Sequence, residues 1–427
     1  MRTLSEWLDY QQRIHPHGIE LGLDRVRMVW RRMGAPAPAP VVVTVGGTNG
    51  KGSTVAFIEA MLAASGKRVG CYTSPHLLRY NERIRVAGVD ASDAALINAF
   101  ERIEAARAEI PLTYFEFGTL AALWIFAQSR LDAAVLEVGL GGRLDAVNII
   151  DADAAIVVTV DLDHQDWLGN DIDDICREKA GIFRKDRPAI VGMREAPRGL
   201  LDEAARIGAR LLRADRDFRV LPQIDAWRWE CGGESLSLPE PDLVAPSQID
   251  NAAAAIAALH ALRERLGWNA QAIAQGVRDA RVPARLQRLQ KTGAAELAID
   301  VGHNPQAARE LARWLGQTPP RGRNLAVFGA LGDKDVAGIV AALAPHIAHW
   351  HLCALDAASP RGLAIAQLRE RMPRVTHDAH AGVGAALDAA MAQSAPGDRI
   401  LAFGSFHVAG PALRWARDHG YRNAQQV

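Results

Sequence analysis

Val41-Val42-Val43-Thr44-Val45 runs into Gly46-Gly47-Thr48-Asn49-Gly50-Lys51-Gly52-Ser53-Thr54, and the reading of this stretch decides the fold. The β-branched run has the pattern of a strand buried on both faces of a parallel sheet. The glycines let the backbone turn tightly and bring its N–H groups close to an anion. Val55, Ile58, Met61 and Leu62 then recur at helical spacing until Gly66, a stop signal. Strand, glycine loop, lysine, hydroxyl and helix together form a phosphate cradle. The helix N-terminus turns its N–H groups and positive dipole end to the phosphates, Lys51 adds a point charge, and a hydroxyl can ligate Mg²⁺. The spelling departs from the usual motif: Val45 stands where a glycine is expected, Gly52 follows the lysine, and the hydroxyl moves to Ser53. A glycine turn without phosphate duty is the competing reading. The flanking strand and helix favour nucleotide binding.

Outward from the loop, the alternation of strands and helices predicts a P-loop α/β domain with a doubly wound parallel sheet. Strands are expected at 68–73, 133–138, 155–160 and 188–191, with helices near 94–108, 116–129, 171–183 and 199–212. Residues 217–242, with Trp227, Trp229 and Gly232-Gly233, read as a small β excursion, and a helix follows over 250–266. Arg281-Val282-Pro283-Ala284-Arg285 reads as a hinge, after which the β–α alternation restarts at Leu297 without a second phosphate loop. The expected organisation is residues 1–285 as the ATPase domain and 286–427 as a Rossmann-like α/β domain. Ligands of such sheets gather at the carboxyl ends of the strands.

Composition narrows the class. At 427 residues, two domains are the default, and 49% hydrophobic with 23% charged residues is the balance of a globular protein. Lys+Arg and Asp+Glu both total 49, so no basic excess points to nucleic acid or an anionic membrane. The four cysteines show no C-x-x-C spacing, which suggests reduced thiols. No apolar run approaches the roughly 20 residues that span a bilayer, and the first residues lack a signal-peptide h-region. A cytoplasmic protein is expected.

Several polar residues fall where ligands gather. Glu137 ends an apolar strand, where a carboxylate is costly unless paired or bound to a cation, and His164 ends the next. A metal site competes on equal terms with a paired core acid for Glu137 and with a hydrogen-bonded strand-end imidazole for His164. Lys179 has the look of a solvated helix lysine. Asp300 and His303 precede Asn304-Pro305, where helix capping competes with a binding role, as it does for Ser405.

Taken together, the strings resemble those of the bacterial bifunctional dihydrofolate synthase/folylpolyglutamate synthase family, relatives of the muramyl-peptide ligases. The matching strings are Gly47 to Ser53, Thr73-Ser74-Pro75-His76-Leu77, Leu112 to Gly118, the Glu137 loop, Leu162-Asp163-His164 with Trp167, Glu178-Lys179-Ala180-Gly181, and Asp300 with His303-Asn304-Pro305. The family carries glycine after the lysine, which accounts for the loop's spelling. The resemblance implies that residues 47–51 hold ATP phosphates and Ser53 one Mg²⁺. Ser74, Glu137 and His164 would hold a second Mg²⁺, and Lys179 would be the family's carbamylated lysine. Lys51, Glu137, His164 and Lys179 would then be the catalytic set. Asn251, Arg285 and Asp300 match positions that contact the nucleotide across the domain gap. His303 and Ser405 match glutamate-binding positions. Pterin contacts would come from His17, Gly18, Ile19 and Glu20, from Thr113, Tyr114, Phe115 and Glu116, and from Leu144, Asp145 and Ala146. The activity implied is ATP-dependent ligation of L-glutamate to dihydropteroate and folates by a monomer. A muramyl-type peptide ligase is the alternative, but only about 45 residues precede the loop, too few for the expected nucleotide-sugar domain. A non-ligating P-loop regulatory ATPase is a further alternative.

Overall fold

A computed structural model describes residues 2–15, 20–163, 167, 169 and 171–424. The chain divides into two compact units, one of Met1–Asp242 with Gln248–Arg281, the other of Leu243–Ser247 with Val282–Val427.

The first unit is built on eight strands: β1 (Val41–Gly46), β2 (Val69–Tyr72), β3 (Ile84–Val86), β4 (Val89–Asp90), β5 (Ala133–Glu137), β6 (Ala154–Val157), β7 (Pro188–Val191) and β8 (Arg210–Arg213). Their order is β4-β3-β2-β5-β1-β6-β7-β8. From β2 to β8 every pairing is parallel, and β3 and β4 extend the β2 edge as an antiparallel ribbon. β1, β2, β5, β6 and β7 are buried at every residue, so their sequences are apolar runs without polar alternation. β1 lies between β5 and β6, where the strand order reverses. In an open α/β sheet that switch point opens the ligand crevice at the carboxyl ends.

Helix Lys51–Ala64 follows β1 directly and is covered by two further helices, Gln248–Ala261 and Ala270–Asp279. The first is lined by buried alanines from Ala252 to Ala258, small enough to bring the backbones close. Close approach is most severe at Gly276, where a Cβ would lie 2.4 Å from the backbone of Met61. The expected β excursion is a three-stranded antiparallel sheet of β9 (Phe218–Gln223), β10 (Ala226–Cys231) and β11 (Glu234–Pro239). Fully buried Trp229 joins it to helix Gln248–Ala261 by an indole hydrogen bond of 3.2 Å to the Ala253 carbonyl.

Three local expectations change. The helix expected at 199–212 ends at Ile207, because Gly208 adopts φ 76° and releases the chain into edge strand β8. The helix expected at 250–266 is two helices, Gln248–Ala261 and Arg263–Leu266, followed by Ala270–Asp279, which has no counterpart in the sequence reading. The β3–β4 ribbon is likewise new; it is too short and too exposed at Val89 to show a period.

The second unit is a seven-stranded sheet: β12 (Gln287–Gln290), β13 (Glu296–Ile299), β14 (Asn324–Phe328), β15 (His349–Cys353), β16 (His377–His380), β17 (Arg399–Phe403) and β18 (Arg422–Asn423). The order is β16-β15-β14-β17-β13-β12-β18, parallel from β16 to β13 and antiparallel beyond. Phe328, Trp350 and Phe403 form its aromatic centre. Among the described residues, no helix is long and apolar enough to cross a membrane.

Gly276→Ala forces helix Ala270–Asp279 away from the phosphate-loop helix. We expect thermal unfolding of the variant to show a loss of about 1–3 kcal/mol, the usual cost of overpacking. An unchanged melting curve would show that the two helices separate without cost.

Candidate active site

The loop of residues 46–53 leaves β1 and enters helix Lys51–Ala64 through Gly50, which caps it with φ 86°. A Cβ on Gly50 would lie 2.5 Å from Asn251 Oδ1 and 2.7 Å from Val158 Cγ1, so the loop rests directly on neighbouring elements. Its shape is fixed from the β6 side. Thr48 N donates to the Thr159 carbonyl at 2.8 Å, and Asn49 N donates to Thr159 Oγ1 at 2.9 Å. Thr48 Oγ1 donates to the Asp161 carbonyl at 3.1 Å and accepts from Asp161 N at 3.0 Å. Lys51 Nζ folds back to the Gly47 and Thr48 carbonyls at 2.9 and 3.1 Å, held over the mouth of the loop. Ser53 is buried in the first turn of the helix, where backbone N–H groups lack intrahelical acceptors.

Glu137 ends β5 in register with Val45, one residue before the loop begins, and its side chain is only 3% exposed. Ser74, after β2, donates its N–H to Glu137 Oε2 at 3.1 Å. The carboxyl ends of β1, β2 and β5 therefore bring the loop, Ser74 and Glu137 together. The Ser74–Pro75 peptide is cis. Lys179 is not the solvated helix lysine that its surroundings in sequence suggest. It is buried on helix Ile172–Ala180, and its pKa falls to about 7, first through loss of hydration and next through the positive charge of Lys51. Burial thus favours the uncharged amine far more than in a solvated lysine.

A second cluster lies behind these groups. Thr113 and Glu116 form a capping box at the start of helix Tyr114–Ala127, and buried Glu116 also accepts from Arg25 at 3.1 Å. Arg25 pairs in turn with Glu20, which meets His15 at 3.1 Å. The Phe115 ring lies against Gly139, tying this helix to the loop after β5. Asp145 is fully engaged within that loop, accepting from Gly139 N, Leu140 N and Val147 N, and burial raises its carboxyl to about 6. The Leu144 carbonyl accepts from Gly22 N at 3.3 Å, which brings residues 20–25 and 144–146 side by side. Of the residues singled out in the sequence, His17, Gly18, Ile19 and His164 lie outside the described residues.

In the second unit, Asp300 follows β13 and is 9% exposed. Its carboxylate accepts from Leu286 N at 2.7 Å and Gly302 N at 2.6 Å; burial raises its pKa and Arg285 opposes the rise. Arg285 lies over the Phe406 ring at 5.8 Å. His303 Nδ1 sits 2.9 Å from the Val301 carbonyl. Asn304 and Ser405 cap the helices Pro305–Gln317 and Phe406–Asp418. Because β13 and β17 are parallel neighbours, Asp300, His303 and Ser405 fall at one end of the second sheet. Asn251 lies in the first unit, packed against Gly50 of the loop, whereas Arg285 and Asp300 lie in the second.

Two domain families match the chain: the Mur ligase middle domain over residues 45–212 and the Mur ligase glutamate ligase domain over residues 284–406. The chain is 45% identical over 406 residues to the dihydrofolate synthase/folylpolyglutamate synthase of Escherichia coli (strain K12), a match covering 95% of this chain and 93% of the relative. The chain belongs to the dihydrofolate synthase/folylpolyglutamate synthase family. Its fold matches that of E. coli FolC in complex with DHPP and ADP, with a TM-score of 0.91, 43% identity and 98% of each chain covered. It matches equally a bifunctional folylpolyglutamate synthase/dihydrofolate synthase with Mn, AMPPNP and L-glutamate bound, with a TM-score of 0.89, 43% identity and 98% of each chain covered.

Within this family frame, some groups had no signal in the sequence. Thr159 and Asp161 shape the phosphate loop, yet a threonine and an aspartate after a strand are common. Arg25 bridges nearby Glu20 to Glu116, which is 91 residues away, a pairing only the fold reveals. Arg83 packs over Tyr80 and Tyr114 and donates to His76 Nδ1 at 2.9 Å, beside the 113–116 segment.

Gly50→Ala meets both a positive φ and the Asn251 side chain. Strain of that kind costs the folded protein about 1–3 kcal/mol and is relieved by moving the loop out of shape, so ATP binding is expected to weaken by roughly tenfold along with a modest loss in thermal unfolding. Calorimetric titration with ATP checks this, and wild-type affinity would place the phosphates elsewhere.

Proposed function

We propose that the chain ligates L-glutamate to dihydropteroate, giving dihydrofolate, and to the γ-carboxylate of (tetrahydro)folates, with ATP cleaved to ADP and phosphate. The observation that carries the reading is the register of β1 on β5, which sets the buried Glu137 carboxylate beside the phosphate loop. A carboxylate in that position is costly unless a cation answers it. The hydroxyls of Ser53 and Ser74 and the carboxylate of Glu137 are the hard oxygen donors that Mg²⁺ prefers. Ser53 would serve one ion, and Ser74, Glu137 and His164 a second; bound there, the ions would neutralise charge on the transferred phosphoryl group.

The protein's own groups account for the remaining work. The loop amides and Lys51 orient the triphosphate, with Asn251 supporting the loop from beneath. Lys179, drawn toward the neutral amine by burial and by Lys51, is suited to add CO₂ and become a carbamate. That conversion would replace a buried amine beside Lys51 with anionic oxygens of the kind a hard cation prefers. The aromatic and acidic residues at 113–116, together with Glu20 and the 144–146 loop, are read as the pterin side of the site. Arg285 and Asp300 are read as nucleotide contacts from the second domain, and His303 and Ser405 as the glutamate site. The unit of Met1–Asp242 with Gln248–Arg281 would then be the ATPase and pterin domain, and that of Leu243–Ser247 with Val282–Val427 the glutamate domain, which moves the expected boundary at 285 back to 281. In the reaction the substrate carboxylate attacks the γ-phosphorus and ADP leaves. The glutamate amine attacks the resulting acyl phosphate, and phosphate leaves with the amide formed. Exclusion of water protects the acyl phosphate between the two steps. A cytoplasmic monomer without nucleic-acid or membrane partners fits the balanced charge.

Two measurements test this. ADP release with Mg²⁺ and ATP should require both dihydropteroate and glutamate, with mass spectrometry finding dihydrofolate; ADP release indifferent to glutamate would point to a regulatory ATPase. Lys179→Ala should reduce turnover by about 10²-fold or more, the scale of losing a positioned charge at a phosphoryl-transfer site. Short-chain carboxylic acids should partly restore it. A wild-type rate in the unrescued variant would remove the carbamate from the mechanism.

A further inference from the structure

The free edge of the second sheet carries a group of side chains that ligation does not use. His349 and His351 stand two residues apart on β15, and Asp378 and His380 two apart on the edge strand β16. Side chains two apart on a strand share a face. The pairing of His351 with Asp378, and of Cys353 with His380, puts all four on the same face of the sheet. One donor atom each from His349, His351 and Asp378 lies within 4.8 Å of the others. His349 Nε2 is 2.9 Å from Asp378 Oδ2, and His351 Nδ1 is 3.1 Å from His380 Nε2. The ring centroids of His349 and His351 are 5.0 Å apart, and those of His351 and His380 5.3 Å.

We propose that His349, His351 and Asp378 form a three-ligand site for a divalent transition-metal ion of the zinc class, with a fourth position left for a further donor. Nitrogen and oxygen donors in this mixture suit Zn²⁺ or Co²⁺ and differ from the all-oxygen set Mg²⁺ prefers. A tetrahedral ion about 2.0–2.1 Å from each ligand spaces the donors about 3.4 Å apart. His349 Nε2 and Asp378 Oδ2 are 2.9 Å apart and all three donors lie within 4.8 Å of one another, a spread that side-chain shifts of about 1–1.5 Å bring to that spacing. His351 is preset for the task. Its Nε2 lies 2.8 Å from Gln393 Oε1, an acceptor, so Nε2 carries the proton and Nδ1 turns its lone pair toward His380. A ligating imidazole whose other nitrogen donates to an amide or carboxylate oxygen is the usual arrangement around a metal.

An ordinary exposed ion pair explains only part of the cluster. It accounts for His349 with exposed Asp378, a pair that solvent and salt screen strongly. It gives no reason for a buried, amide-anchored imidazole aimed at a third histidine. β15 is the third strand from β13, about 14 Å away at the usual strand spacing. The site is therefore distinct from the Asp300 end of the sheet, and its consequence is to clamp edge strand β16 to β15.

The test is titration of the full-length protein with Zn²⁺ against a chromophoric chelator, and with Co²⁺ followed by visible absorption, for the wild type, His349→Gln and Asp378→Asn. We expect one Zn²⁺ site per chain that each substitution weakens by about tenfold or more. The wild type should also give an intense tetrahedral Co²⁺ spectrum that both variants lose, with ligase turnover unchanged. Zn²⁺ binding indifferent to both substitutions, or a wild type without the Co²⁺ spectrum, would overturn the proposal and leave the cluster as a hydrogen-bonded pair.

Discussion

The parallel pairing of β1 between β5 and β6 is the constraint on which the first unit depends. It buries β1 on both faces and so requires an apolar run, which Val41 to Val45 supplies. It also delivers three different loop chemistries to one edge: the phosphate loop after β1, the Glu137 carboxylate from β5, and the Thr159–Asp161 backbone after β6. A one-residue slip of β5 would turn Glu137 to the opposite face. The register is thus what converts a scattered set of residues into a site.

Electrostatics at that edge are held under tension. Glu137 and Lys179 are both buried, and Lys51 raises the cost of a second cation at Lys179. In water these groups would be unremarkable, but loss of hydration makes each one's charge depend on its neighbours. Asp145 shows the contrasting outcome. Three backbone N–H groups consume its oxygens, and its role is to shape the loop that carries Leu144 beside Gly22. Two carboxylates from adjoining segments are therefore placed differently, one closing its own loop and one at a strand end beside β1, bonded to Ser74.

Much of this was legible in the sequence because it is local. The strand–loop–helix at 41–64, the sheet's parallel character and the β excursion at 217–242 each follow from period, glycine placement or β-branched runs. The short elements were not legible. β3, β4 and β18 are too brief to show a period, and β8 was absorbed into a helix whose stop, Gly208, lies inside an otherwise continuous amphipathic pattern. Ordered motifs gave the site's outline, but its depth is a tertiary property. Nothing in Arg177-Glu178-Lys179-Ala180 distinguishes a buried amine from a solvated one until the loop at 139–143 closes over it, with Arg143 N bonded to the Glu178 carbonyl at 2.7 Å. Asn251 gave the same lesson, because its place beneath Gly50 follows from helix packing 200 residues downstream.

The central claim is that the register of β1 on β5 seats a magnesium-loaded triphosphate between the loop and Glu137. A crystal structure with Mg²⁺ and a non-hydrolysable ATP analogue tests it most directly. The account predicts the γ-phosphate within hydrogen-bonding reach of Lys51 Nζ and a metal ion coordinated by Glu137. A terminal phosphate lying away from Lys51, with Glu137 making no metal contact, would contradict it.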